Sequence, residues 1–188
     1  MPPPPNSSTT TIIAACKAGD RRAQEVFYRT YFPKLLPIPL RYLRNREEAV
    51  AVLNQGMLKI FQALEQYHEK EKLEAWLATI VRRTTLNFIR DEDRARRRFQ
   101  PEPYDPPISV ANTALGQLNA EDILKLLHAL PDFLRIVFSL VVFDGYSHAE
   151  VATELEITVQ ASRWRLAKAR ELLRQRYQSI NRINETLS

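Results

Sequence analysis

The chain has 188 residues, 27 basic and 22 acidic, for a net charge of +5, with one cysteine, four glycines and twelve prolines. A single cysteine excludes an internal disulfide framework, no apolar stretch reaches the length of a transmembrane helix, and a charge excess this small does not by itself mark a nucleic-acid binder. Scarce glycine and the lack of strand-like alternation predict an all-α fold.

The start, MPPPPNSSTT, has no basic region or apolar core and so is no signal peptide; it reads as a disordered or polyproline lead-in over residues 1–10. Thr11 to Ala18 forms a short helix stopped by Gly19, with Cys16 a small buried residue. Asp20 caps a second helix whose apolar side is Ala23, Val26, Phe27 and Tyr31. In PKLLPIPLRYLRN, Pro33 suits a helix start, whereas Pro37 and Pro39 do not suit an interior, so a kink or late start is expected near Pro39. Arg46 to Gln66 is the longest helix, with Leu53, Met57, Ile60, Phe61 and Leu64 as its apolar stripe. A polar loop, HEKEK, leads to a helix from Leu73 to Arg90 that buries Trp76, Leu77, Ile80, Val81 and Phe88. Between Arg82 and Arg98 seven arginines face three acids. Residues 11–98 are thus expected to form one helical bundle.

Residues 99–120 read as a linker: PEPYDPPISVANTALGQLNA carries four prolines and no Lys or Arg, which favours an extended tether. The second domain is expected over 121–180, followed by a tail at 181–188. It opens with a helix over 121–130, ended by Pro131. Asp132 begins FLRIVFSLVVF, apolar nearly all round and so expected to be the buried helix, ended by Gly145.

Ser147 to Arg176 is the most informative stretch. Ser147 followed by Glu150 is a capping box, and Val151, Ala152 and Leu155 give a short apolar face. Glu156, Ile157 and Thr158 make a tight break, with Thr158 placed to cap the next helix. On that helix Ser162, Leu166, Ala169 and Leu173 share an inward side. Gln160, Arg163, Trp164, Ala167 and Lys168 share the other, and a residue two positions from Leu166, as Trp164 is, lies roughly 200° away from it. From Gln160 to Arg176 six Lys or Arg stand against one Glu. This is a helix-turn-helix with a basic second helix: cations for phosphates, long polar side chains for base edges.

The segments KAGDRRAQEVFYRTYFPKLLPIPLRYLRNREEA, KIFQALEQY with LEAWLATIVRRTTLNFIR, and LPDFLRIVFSLVVFDGYSHAEVATELEIT followed by ASRWRLAKAR together resemble a bacterial extracytoplasmic-function sigma factor of the sigma-70 family. The resemblance runs from about residue 12 to 177. It implies two helical domains, a region two bundle and a region four helix-turn-helix, joined by the proline-rich linker. It implies a cytoplasmic bacterial protein whose partners are RNA polymerase core and promoter DNA; the sequence does not reveal the oligomeric state, and a monomer is assumed for the free chain. Many relatives are held inactive by an anti-sigma factor clamped between the lobes. Region two of the family docks on polymerase and opens the minus-ten element; region four grips the minus-thirty-five element. Carried onto this chain, the region four DNA-binding residues are Gln160, Arg163, Trp164, Arg165 and Lys168, and those of region two are Arg82, Arg83, Asn87 and Arg90. Glu47, Glu48, Asn54 and Gln55 form the polymerase-docking face.

The chain departs from the family pattern at several points. Where the family has E-D-x-x-Q-E, this sequence has Val50, Ala51, Asn54 and Gln55, so three carboxylates are gone and steering toward a basic partner is weakened. HEKEK replaces a glycine-containing loop, Arg83 replaces an asparagine, and Glu156 replaces a glycine. The competing reading is therefore a sigma-like helix-turn-helix regulator or interaction protein with weakened polymerase docking. No nucleotide-binding fingerprint, zinc spacing or catalytic arrangement is present, so no cofactor, metal or catalytic residue is expected, and the chain is not expected to be an enzyme. His148, beside Ser147, reads as a solvent-facing or capping residue.

Overall fold

The computed structural model describes residues 5–68, 72–99 and 120–186; residues 100–119 of the expected linker and 69–71 of the HEKEK loop lie outside these. The described residues form α-helices, one 3-10 turn and one π turn, and no strand. The chain divides into two units, Met1–Glu102 and Pro103–Ser188.

The first unit opens with α1 (Pro5–Lys17), which starts six residues ahead of the expected position. Residues 5–10 are therefore helical rather than an extended lead-in. Proline is tolerated in a first helical turn, and the helix is held by burial of Ile13 and Cys16 further along. Burial pushes the Cys16 thiol up from its ordinary value, with a smaller contribution from Asp20. Gly19, at φ +80, ends the helix. Asp20 then caps α2 (Arg21–Leu35), accepting from the amides of Arg22 and Ala23 at 2.8 and 3.3 Å.

The prolines resolve differently from expectation. Pro33 lies inside α2, in its last turn, and not at a helix start. Pro37 is the first residue of α3 (Pro37–Tyr42) and Pro39 the third, where amides have no intrahelical partner and a missing N–H costs nothing. The break falls at Leu36, whose amide still bonds the Phe32 carbonyl at 3.0 Å.

Asn45 caps α4 (Arg46–Ala63), accepting from the amides of Glu47 and Glu48, and both carboxylates sit favourably in the first turn. The helix closes in a 3-10 turn, Leu64–Gln66, and at 18 residues it is not the longest as expected, being shorter than the helices Leu73–Phe99 and Val159–Thr186. Its buried line is Ala49, Val52, Leu53, Gly56, Met57 and Ile60, while Phe61 is only half-buried. Against it packs α5 (Leu73–Phe99). Gly56 lets the two helices approach: a Cβ there would lie 3.2 Å from the Val81 Cγ2. The helix runs nine residues past the expected end at Arg90 because nothing between Asp91 and Phe99 breaks it, and the first linker proline comes only at position 101. Leu77 and Val81 are buried as expected; Trp76, Ile80 and Phe88 are half-buried, Trp76 with its ring 5.2 Å from that of Tyr67.

The second unit comprises α6 (Ala120–His128), α7 (Asp132–Phe138), a π turn (Ser139–Phe143), α8 (His148–Glu154) and α9 (Val159–Thr186). Residues 181–186 of the expected tail thus belong to α9. Leu127, Leu130, Leu134 and Ala169 form its core. The apolar helix expected over 132–143 is not buried throughout: it changes to π geometry at Ser139, and Phe133, Val142 and Phe143 are each about two-fifths exposed. A unit this small cannot cover every side of an apolar helix. Arg135 is buried, paired with Asp132 at 3.0 Å and donating to the Leu130 carbonyl at 3.4 Å.

Candidate nucleic-acid interface

The capping box at the start of α8 is complete. The Ser147 hydroxyl accepts from the Glu150 amide at 3.2 Å, and the Glu150 carboxylate accepts from the Ser147 amide at 2.8 Å. These bonds from Ser147 hold the Glu150 carboxyl below its ordinary value. After α8 the chain turns through Glu156, the one non-glycine residue with positive φ among the described residues, at +53. The Ile157 amide returns to the Ala152 carbonyl at 3.0 Å, and Thr158 caps α9 by accepting from the Ala161 amide at 3.0 Å. A left-handed backbone costs a side-chain-bearing residue about 1 kcal/mol or more. Glu156→Gly is accordingly expected to stabilise the second unit by roughly 1 kcal/mol, read as a rise in its denaturation midpoint with unchanged slope.

A polar bond crosses between the two helices of the motif. His148 Nδ1 lies 2.9 Å from the Ser162 hydroxyl, and Ser162 is fully buried. His148 is half-buried, not solvent-facing, and its role was missed because a histidine beside a cap residue carries no periodic signal. The bond satisfies a hydroxyl buried in the packed seam and ties α9 to the start of α8.

On the outer side of α9, Gln160, Arg163, Trp164 and Ala167 are exposed, with Trp164 at 58%. Lys168 is half-buried and paired with Glu171 at 2.9 Å. Arg165 does not join this face: it is half-buried, its guanidinium 5.5 Å from the ring centre of Phe133 on α7, and burial pulls its pKa down. Its position, three before the outward Lys168, concealed this, because the partner ring lies on another helix.

In the first unit, Arg83 and Asn87 are exposed one turn apart on α5, with Arg94 exposed beyond them; Arg82 and Arg90 are half-buried. On α4, Glu47, Glu48, Asn54 and Gln55 are all exposed. Asn54 is held by the Tyr28 hydroxyl, which donates to its Oδ1 at 2.8 Å. Leu58, one turn after Asn54, is 59% exposed, a feature the charge pattern did not reveal. Among the described residues no three His, Cys, Asp or Glu are gathered in a way that could hold a metal ion.

The sigma-70 region 2 family matches residues 27–95 and the sigma-70 region 4 family matches residues 120–173, one in each unit. The chain belongs to the sigma-70 family, among its extracytoplasmic-function sigma factors. It is similar to the RNA polymerase sigma-H factor of Pseudomonas aeruginosa, 23% identical over 175 residues that cover 87% of this chain and 91% of the relative. The ECF RNA polymerase sigma-E factor of Haemophilus influenzae is 21% identical over 173 residues, covering 86% and 91%. In fold it is similar to the sigma factor RpoE of Bartonella quintana, solved in complex with the anti-sigma factor NepR, with TM-score 0.52, 19% identity and coverage of 82% of this chain and 96% of that one. This sigma factor directs RNA polymerase to promoters, and its work is transcription initiation, not enzymatic catalysis. The helix-turn-helix of α8 and α9 is its region four DNA-binding element.

Proposed function

We propose that the two units divide the promoter between them, the second unit holding the minus-thirty-five element and the first opening the minus-ten element. The observation that supports this most directly is the outer side of α9, where Gln160, Arg163 and Trp164 stand exposed within the first two turns, the part of a recognition helix that reaches base edges. Gln160 suits an adenine edge and Arg163 a guanine edge, while Lys168 adds charge toward phosphate. Arg165 supports this face from behind by bracing α9 on Phe133. On α5, Arg83, Asn87 and Arg90 form the side offered to a melted strand, cations tracking its backbone. On α4, Glu47, Glu48, Asn54 and Gln55 are the proposed contact with polymerase core. The protein works in the bacterial cytoplasm, and an anti-sigma partner is proposed in keeping with the complex solved for the Bartonella protein.

Run-off transcription with core polymerase tests this reading. A genomic promoter fragment should yield a transcript that depends on the added chain. Arg163→Ala should lower occupancy of the upstream element about tenfold, with binding that also falls steeply as salt rises. DNA binding without any retention of core polymerase would instead identify a free-standing regulator, the reading that the missing charges at Val50, Ala51 and Gln55 favour.

A further inference from the structure

We propose that Trp164 reads thymine 5-methyl groups in the upstream element, so that promoter choice by this chain rests partly on an apolar contact. The inference deepens the proposed role of α9 and depends on it. Trp164 lies in the second turn of α9 and faces outward, 58% exposed: the buried Ser162 and Leu166 are each two positions away, roughly 200° around the helix. Its neighbours on the outward stripe, Gln160 and Ala167, carry no charge. Of the cations close by, Lys168 is engaged by Glu171 and Arg165 by the Phe133 ring, which leaves Arg163 to flank the indole. The reading end of this basic helix thus sets an exposed indole beside Arg163.

The chemistry of the indole narrows what it can recognise. It has one N–H donor, no acceptor and a broad apolar face, so it cannot make the paired bonds by which Arg reads guanine or Gln reads adenine. The apolar feature that base edges present in the major groove is the thymine methyl. An indole left standing in water gains by covering such a group, and Gln160 and Arg163 on the same stretch would fix the register at which it meets it.

The test uses full-length protein bound to core polymerase. A duplex is first enriched from a pool randomised across the upstream element, and each thymine in it is then replaced singly by deoxyuridine, which removes the methyl and nothing else. Binding should weaken about fourfold at one or two adjacent positions, the worth of one buried methyl group. The penalty should vanish in Trp164→Ser and persist in Trp164→Phe; neither substitution touches the core, so melting should be unchanged. Uracil tolerated at every position, or an equal penalty in Trp164→Ser, would overturn the inference, the first of these being the result if the indole packs only on sugar and phosphate. Transcripts made from the enriched promoter with no uracil effect remove Trp164 alone. No enriched duplex and no transcript removes the inference together with the role proposed for α9.

Discussion

Leu130→Ala is expected to remove about 3 kcal/mol from the second unit and to leave much of it unfolded. Leu130 has no solvent exposure and sits with Leu127, Leu134 and Ala169 in the small core, with Leu124, Phe138, Leu172 and Leu173 packed around it. Helices α6 and α7 meet α9 through this cluster, and in a unit of this size a single core rarely supplies more than about 3 to 5 kcal/mol. Truncating the side chain leaves a cavity that short helices close only in part. The expected reading is loss of the second unit's denaturation transition with the first unit's transition retained, since Phe27, Leu53, Met57 and Leu77 form a separate core. Upstream-element binding should fall with it. A second-unit midpoint within the error of the native one would show that the cluster is not what holds α9 in place. Arg163→Ala, by contrast, should change DNA binding without moving the melt, because Arg163 is exposed.

Much of this architecture was legible in the chain because the signals are local. Asp20, the Ser147 and Glu150 pair, and Thr158 each satisfy amides within three residues, so sequence spacing alone locates the helix starts. The helical period places Ser162, Leu166, Ala169 and Leu173 inward; the first three are buried and Leu173 is half-buried. What escaped depends on partners far along the chain. Pro33 reads as a start until one sees that α2 ends only two residues later, and that α3 keeps Pro37 and Pro39 in its first turn. Arg165 follows the basic pattern of α9, yet a ring on α7 captures it. His148 and Ser162 are fourteen residues apart, and nothing in either neighbourhood marks them as bonded. The exposed Leu58 stands next to a face judged only by its missing carboxylates. Its presence gives that face an apolar component, which does not weaken with salt as charge steering does.

Gly56→Leu is expected to destabilise the first unit by about 2 to 3 kcal/mol, even though leucine is the better helix former. Gly56 is buried in α4, where an added Cβ would already lie 3.2 Å from the Val81 Cγ2 and 3.5 Å from the Val81 Cα. The second of these is backbone and cannot rotate away, so a longer side chain must push α4 off α5. The pair is also the crossing point between two proposed surfaces, the polymerase contact on α4 and the strand-facing side of α5. Changing their angle should weaken core binding and promoter opening together, whereas Gln55→Ala should touch only the first and Asn87→Ala only the second. A double variant with Val81→Ala isolates the cause. If the clash at this crossing is what destabilises the unit, the two substitutions together should cost at least 1 kcal/mol less than the sum of their separate effects. Simple additivity, or a native-like melt for Gly56→Leu alone, would place the control of the α4–α5 angle elsewhere in the bundle.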